Sequence, residues 1–319
     1  MAFYSPDPAL GQHLETVVRA LERAGRPGLA DGLSISWLRY APGRSVIGGG
    51  ADLEPATFWG LAPPGAGWNG GRCRYPASVV KLVYLVAAEA WLQADLLPPS
   101  DDLSEALEAM IRHSSNDATG LVVDLLSGTT SGPRLPAEAM ALWHSQRQLV
   151  NGWLRGLGWP ELEGWNACQK TWGDGPRGRE RESYGSGGEN RNRLSTDGVA
   201  RVLHAVVGEA IVSPPACRRM MDLLCRSLDL QERAADAENQ VDGFIGEALP
   251  AGSRLWSKAG WMSAARHDAA YVEIPCDQGV QAHLLVVFSE GARWAEDDAL
   301  LPELARLLLA GCPAPPPRP

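Results

Sequence analysis

The sequence has no run of about 18 uninterrupted apolar residues, the length that a membrane-spanning helix needs. Its first residues, Met1-Ala2-Phe3-Tyr4-Ser5-Pro6-Asp7-Pro8, lack the basic segment and the apolar core of a secretory leader. Both absences predict a cytoplasmic protein without a membrane partner. Cysteine is scarce: six residues, at positions 73, 168, 217, 225, 276 and 312, form no Cys-x-x-Cys pair and have no histidine cluster beside them. Such spacing excludes the common zinc signatures and predicts free, buried thiols, with no metal and no cofactor. Positive charge is in deficit too. The 29 Lys and Arg against 38 Asp and Glu leave a net charge of -9, and the basic residues are scattered, so no nucleic-acid partner is expected. Oligomeric state is not readable from these features.

What is present is apolar residue, 45% of 319 positions, enough for a sizeable core. The chain is organised around Arg72-Cys73-Arg74-Tyr75-Pro76-Ala77-Ser78-Val79-Val80-Lys81-Leu82-Val83. Pro76 suits a first helical turn, and the apolar run after it predicts a buried helix with Ser78 near its start. Residues three apart share a helix face, which brings Lys81 within reach of the Ser78 hydroxyl. Burial lowers a lysine's pKa, and a neutral amine can take a serine's proton. The helix start also aims unpaired N–H groups at the space above Ser78, where an oxyanion would form.

Helical spacing over Asp7–Gly25 and alternation over Gly32–Tyr40 predict a helix and then a strand. Residues 44–71 leave room for one short strand. Further helices are predicted over Asp101–Arg112, Ala137–Leu157, Thr196–Ala210, Pro214–Leu228 and Ala299–Leu309. Strands are predicted over Arg254–Lys258, Ala269–Ile274 and Val280–Ser289. Residues 158–195 show no periodicity and read as a long irregular loop. The predicted fold is α+β: an antiparallel sheet built from both chain ends, flanked by terminal helices, with an all-helical subdomain inserted. The corresponding boundaries are 1–75 and 229–312 for the α/β part, 76–228 for the helical part, and 313–319 for a disordered tail.

Two more short elements complete a pattern. Ser114-Ser115-Asn116 sits at a polar break between helices, and Ser257-Lys258-Ala259-Gly260-Trp261 ends a strand. Taken singly, Ser114 could cap a helix, Asn116 could form an Asx-turn, and Lys258 could be a solvated strand-end charge. In this order, over nearly the whole chain, the three elements resemble the penicillin-recognising serine hydrolases, most closely the class A β-lactamase-like family. That family carries Ser-x-x-Lys, Ser-Asp-Asn and Lys-Thr-Gly. The resemblance implies a metal-free hydrolase in which Ser78 is acylated and Lys81 is its base. It further implies that Ser114, helped by Lys258, returns a proton to the leaving group, and that Asn116 holds a substrate carbonyl. The N–H groups of Ser78 and Trp261 would form the oxyanion hole, with Ala259 and Gly260 on the substrate's edge and Arg266 or His267 holding an anionic group. His267 reads equally as a strand surface residue.

The sequence departs from the family at three points. Ser115 replaces an aspartate, and Ala259 replaces a hydroxyl residue, which removes one hydrogen bond to a β-lactam carboxylate at a cost of about 1.5–3 kcal/mol. The family's water-activating glutamate, paired with an asparagine four residues on, has no counterpart at that spacing among Glu161, Glu163, Glu180, Glu182 and Glu189; Glu163 with Asn166 comes nearest. The expected function is therefore a serine hydrolase that opens a small-molecule amide or ester through a Ser78 acyl-enzyme, with weakened action on β-lactams. A DD-peptidase-like enzyme, an intracellular amidase or esterase, and a binding protein that keeps the fold without turnover are the alternatives.

Overall fold

The computed structural model describes residues 3–43, 45–49 and 52–310. The expected disordered tail, and Cys312 before it, lie outside the described residues. Seven strands, β1 (Ser5–Pro6), β2 (Leu33–Arg39), β3 (Pro64–Trp68), β4 (Cys225–Arg226), β5 (Arg254–Met262), β6 (Ala265–Cys276) and β7 (Gly279–Glu290), form one sheet in the order β1-β3-β2-β7-β6-β5-β4. Only the β1–β3 pair is parallel. The strands come from the two ends of the chain, with the helical block between them, as the α+β reading requires.

Both faces of the sheet are covered, which is why β2 is buried at every residue. On one face lie the helices Pro8–Arg23 and Leu300–Ala310. Leu10, Leu14, Val18 and Leu21 recur at helical spacing on the first and pack with Leu301, Leu304 and Leu308 against Trp37, Leu285 and Val287. The first helix starts where its sequence says it should, because Asp7 accepts hydrogen bonds from Ala9 N (2.8 Å) and Leu10 N (3.0 Å) ahead of Pro8. On the other face the helices Thr196–Val207 and Val80–Gln93 share a core with Leu284, Val286 and Phe288. The Val80 helix is apolar all round and buried along almost its whole length.

Five expectations change. The single helix over Ala137–Leu157 is two, Ala137–Arg147 and Leu149–Gly156, and the break coincides with Arg147, whose guanidinium turns inward to Asp124 and Glu180. The helix from Pro214 stops at Leu224, and Cys225–Arg226 joins the sheet edge. β5 does not end at Lys258 but runs to Met262, because pairing of all nine of its residues with β6 outweighs the poor strand propensity of Ala259-Gly260. Among the thiols, Cys168 and Cys217 are buried, whereas Cys225 and Cys276 are exposed. The aperiodic stretch 158–195 holds a helix at Gly178–Tyr184 and is bridged to the rest at Asn166–Arg193 and Arg74–Leu194. No helix among the described residues is long and apolar enough to cross a membrane.

Candidate active site

Ser78 lies in a 3-10 turn, Ala77–Val79, that leads into the Val80–Gln93 helix. Ala77 before it has φ +46°, a left-handed conformation that non-glycine residues rarely adopt and that clusters at functional turns. The turn packs against β5 beyond Trp256, the part of that strand which the short β4 leaves uncovered. Gly260 is the point of closest approach. A Cβ there would sit 2.9 Å from Ser78 N and 3.0 Å from both Pro76 O and Val79 N, all backbone atoms. Gly260→Ala must therefore push the strand from the Ser78 turn. The expected result is a fall of about 100-fold in kcat/KM with an unchanged circular dichroism spectrum, since a shift of about 1 Å in the reacting groups costs that much.

Two buried lysines converge on Ser114 from below. Lys81 and Lys258 are both fully buried. Lys81 Nζ donates to the Ser114 carbonyl and reaches Ser114 Oγ at 3.1 Å and Asn116 Oδ1 at 3.0 Å. Lys258 Nζ lies 3.0 Å from Ser114 Oγ and donates to Ala259 O (2.7 Å) and to Gln240 Oε1. Ser114 has φ +54°, which turns both its carbonyl and its hydroxyl to these amines. It does not cap the next helix; Ser115 does, accepting from Ala118 N at 3.2 Å, which is how a serine replaces the aspartate expected there.

Burial holds Lys81 down to about 7, only partly opposed by the carboxylate of Glu238. Burial likewise pushes Lys258 well below its ordinary range, and the charges of Lys81 and Arg226 add to the effect. A neutral Lys258 can give its two N–H bonds to Gln240 and Ala259 and still accept the Ser114 hydroxyl proton on its lone pair.

The alignment of Ser114 with Lys258 comes from residues that no motif marks. Gln240 Nε2 donates to the carbonyls of Ile111 (3.0 Å) and Arg112 (2.9 Å), at the end of the Asp101–Arg112 helix, while its Oε1 accepts from Lys258 Nζ and Ala259 N. Arg226 repeats the tie, donating to Ile111 O (2.8 Å) and Ser257 O (3.1 Å). The helix end that precedes Ser114 is thus capped by side chains that also grip β5.

Above these groups opens a cleft of about 420 Å³, lined by Ser78, Ser114, Asn116, Glu238, Gln240, Phe244, Gly260, Trp261 and Arg266. The Ser78 hydroxyl makes no hydrogen bond to any described residue, and Lys81 is not bonded to it. Trp261 stands at the mouth, 60% exposed, with its indole N–H donating to Ala295 O. Ala259 borders the cleft, but its methyl is buried in the core beneath the sheet and offers no donor.

A model of the beta-lactamase enzyme family matches residues 97–311, about two thirds of the chain. The chain belongs to the beta-lactamase enzyme family. It is a serine hydrolase of the beta-lactamase type, and its family works through an acyl-enzyme. The matched span takes in Ser114, Asn116 and Lys258, while Ser78 and Lys81 lie before it. Solved structures share its fold along nearly their full length. A beta-lactamase from Sphaerobacter thermophilus is 18% identical, with a TM-score of 0.60 over 93% of this chain and 96% of that one. PBP-A is 16% identical, with a TM-score of 0.59 over 96% and 97%. A beta-lactamase from Xanthomonas campestris pv. campestris is 16% identical, with a TM-score of 0.60 over 94% and 97%. A search of curated protein sequences finds no match.

Two of the sequence-derived candidates lie away from the cleft of this beta-lactamase family member. His267 is fully buried inside the sheet, neither at the site nor on a surface, because β6 is covered on both faces. Its Nδ1 accepts from Ser289 N (3.0 Å), which leaves Nε2–H to donate to Tyr75 O (2.9 Å). Burial holds the ring at about 4, so it is neutral and supports the chain just ahead of the Ser78 turn. Glu163 is exposed, and its carboxylate does not line the cleft. The other four loop glutamates are also elsewhere: Glu161 pairs with Arg201, Glu180 with Arg147, Glu182 with Arg134, and Glu189 accepts from Gly187 N. The carboxylate that does line the cleft, Glu238, lies in residues 229–249, where the sequence gives no periodic or motif signal.

Proposed function

We propose that this protein cleaves a small-molecule amide or ester by acylating Ser78, and that loss of the acyl group is its slow step. The observation that carries the reading is the unpartnered Ser78 hydroxyl, in one cleft with a Ser114 hydroxyl held between two lysines of depressed pKa. In the reaction a neutral Lys81 takes the Ser78 proton as Oγ attacks the carbonyl carbon. Ser114, its hydroxyl oriented by Lys258, passes its proton to the leaving nitrogen or oxygen and regains one from the Lys81 ammonium, whose Nζ lies 3.1 Å from Ser114 Oγ. Asn116 supports this by its orientation: Oδ1 accepts from Lys81, so the NH₂ is the group left to donate to a substrate carbonyl. The backbone N–H groups of Ser78 and Trp261 are the proposed oxyanion donors, since the strand edge lies against the turn there. Slow deacylation is supported by the five loop glutamates, none of which reaches the cleft.

Intact-protein mass spectrometry during mixing with nitrocefin and, separately, a p-nitrophenyl ester tests the proposal. A burst of chromophore with a persistent adduct on Ser78 is expected. Steady turnover without adduct would refute slow deacylation, and no adduct or release from either compound would refute the acylation reading. The pH dependence follows from Lys81. Its amine must be neutral to accept a proton, so the acylation rate should rise with pH through about 7 and fall about tenfold per unit below it. A flat profile between pH 5.5 and 8 would show that Lys81 is not the base.

A further inference from the structure

The charge that lines the cleft points to the substrate's own charge. Two titratable side chains face it, Glu238 and Arg266. Arg266 is already engaged: Nε donates to Ala295 O (3.0 Å), Nη1 donates to Gly243 O (3.3 Å), and its guanidinium lies over the rings of Phe244 and Trp261. The carboxylates of Asp297 and Asp298 offset its charge. Glu238 differs. Its carboxylate has no ion pair and no hydrogen bond among the described residues; only its backbone N–H is bonded, to Asp236 Oδ1 at 2.9 Å. The positive group it acts on is Lys81, below the cleft floor. Ala259, meanwhile, offers no hydroxyl to an anionic substrate.

From this we infer that the cleft selects an amide or ester carrying an ammonium group, which Glu238 pairs with. The inference rests on the acylation reading, because Ser78 and Glu238 line the same space. Glu238 is exposed at the rim of the cleft with no protein cation paired to it among the described residues, so it is free to pair with a substrate cation and it repels an anion by a like amount. A solvent-exposed pair of this kind is worth up to about fivefold in affinity. Glu238 is thereby a specificity residue that acts on ground state and transition state alike.

The test measures the rate at which a fluorophosphonate labels Ser78 in the presence of three competitors: glycinamide, which carries an ammonium, neutral N-acetylglycinamide, and anionic N-acetylglycinate. Glycinamide should protect about threefold to fivefold better than N-acetylglycinamide. In Glu238→Gln that ratio should fall to near one while uncompeted labelling persists. The ratio also cancels any change that the substitution makes to Lys81, since both competitors experience it. Equal protection in the wild type, protection led by the anion, or a ratio unmoved by Glu238→Gln would each overturn the inference and leave the Ser78 reading standing. No labelling of Ser78 in any mixture would overturn the acylation reading and this inference with it.

Discussion

Ser78→Ala should abolish the covalent adduct with a fluorophosphonate or a fluorescent penicillin and lower ester turnover by on the order of 10⁴-fold or more. The same substitution should change folding stability by less than about 0.5 kcal/mol, because the hydroxyl has no hydrogen-bond partner to lose among the described residues. Few residues in this molecule combine those two outcomes. Lys81→Ala would also lower activity, but it removes three polar contacts that organise Ser114 and Asn116, so its loss would mix chemistry with structure. The decisive readings are adduct mass and thermal midpoint on one preparation. A Ser78→Ala protein that still forms the adduct would move the nucleophile elsewhere in the cleft, with Ser114 the next hydroxyl to replace.

How far the site was legible depends on the range over which each feature is encoded. Ser78 and Lys81 are three residues apart, so helix geometry alone relates them; Ser114 and Asn116 belong to one turn, and Lys258, Ala259 and Gly260 to one strand. Those relations keep the groups together on folding, although Ser78 sits in a 3-10 turn ahead of the helix and Lys81 bonds Ser114 and Asn116 instead of it; periodicity likewise locates the terminal helices and the closing strands. What failed was long-range. Gln240 and Arg226 matter because each spans the end of the Asp101–Arg112 helix and β5, and nothing within residues 225–249 hints at either partner. His267 was ambiguous because alternation identifies an exposed face only when one face is exposed, and this sheet has helices on both. Glu163 stands out only by its spacing to Asn166, and the Asn166 side chain instead accepts from Asn151 and donates to the Arg191 carbonyl. The segment 158–195 read as loop because its order comes from buried charge, not from an apolar stripe.

That buried charge carries the largest effect on stability. Glu180, 1% exposed, accepts from Arg147 Nη2 and from Ser131 Oγ (2.8 Å), while Arg147, also buried, reaches Asp124 at 2.9 Å. Lys170 closes the group onto Asp124 and Ser131. Two carboxylates thus balance two cations. Glu180→Ala leaves one carboxylate for two buried cations, and removing one partner of a buried pair costs about 3–5 kcal/mol. Glu182→Ala, two positions along the same short helix, should cost under about 1 kcal/mol, because its pair with Arg134 is 3.9 Å long and exposed. Denaturant midpoints of the two variants measure the contrast. The pair also separates charge from packing: Glu180→Ala combined with Arg147→Met should be more stable than Glu180→Ala alone, since the stranded cation goes with its partner. If the double variant is the less stable one, the cluster holds the loop by packing rather than by charge. The consequence reaches the site, because the strand that leaves this loop pairs at Leu194 with Arg74, four residues before Ser78, and Arg191 stacks 3.8 Å over Tyr75. Loosening the Glu180 anchor should therefore slow Ser78 acylation in the fraction that remains folded, although no atom of the cluster touches the cleft.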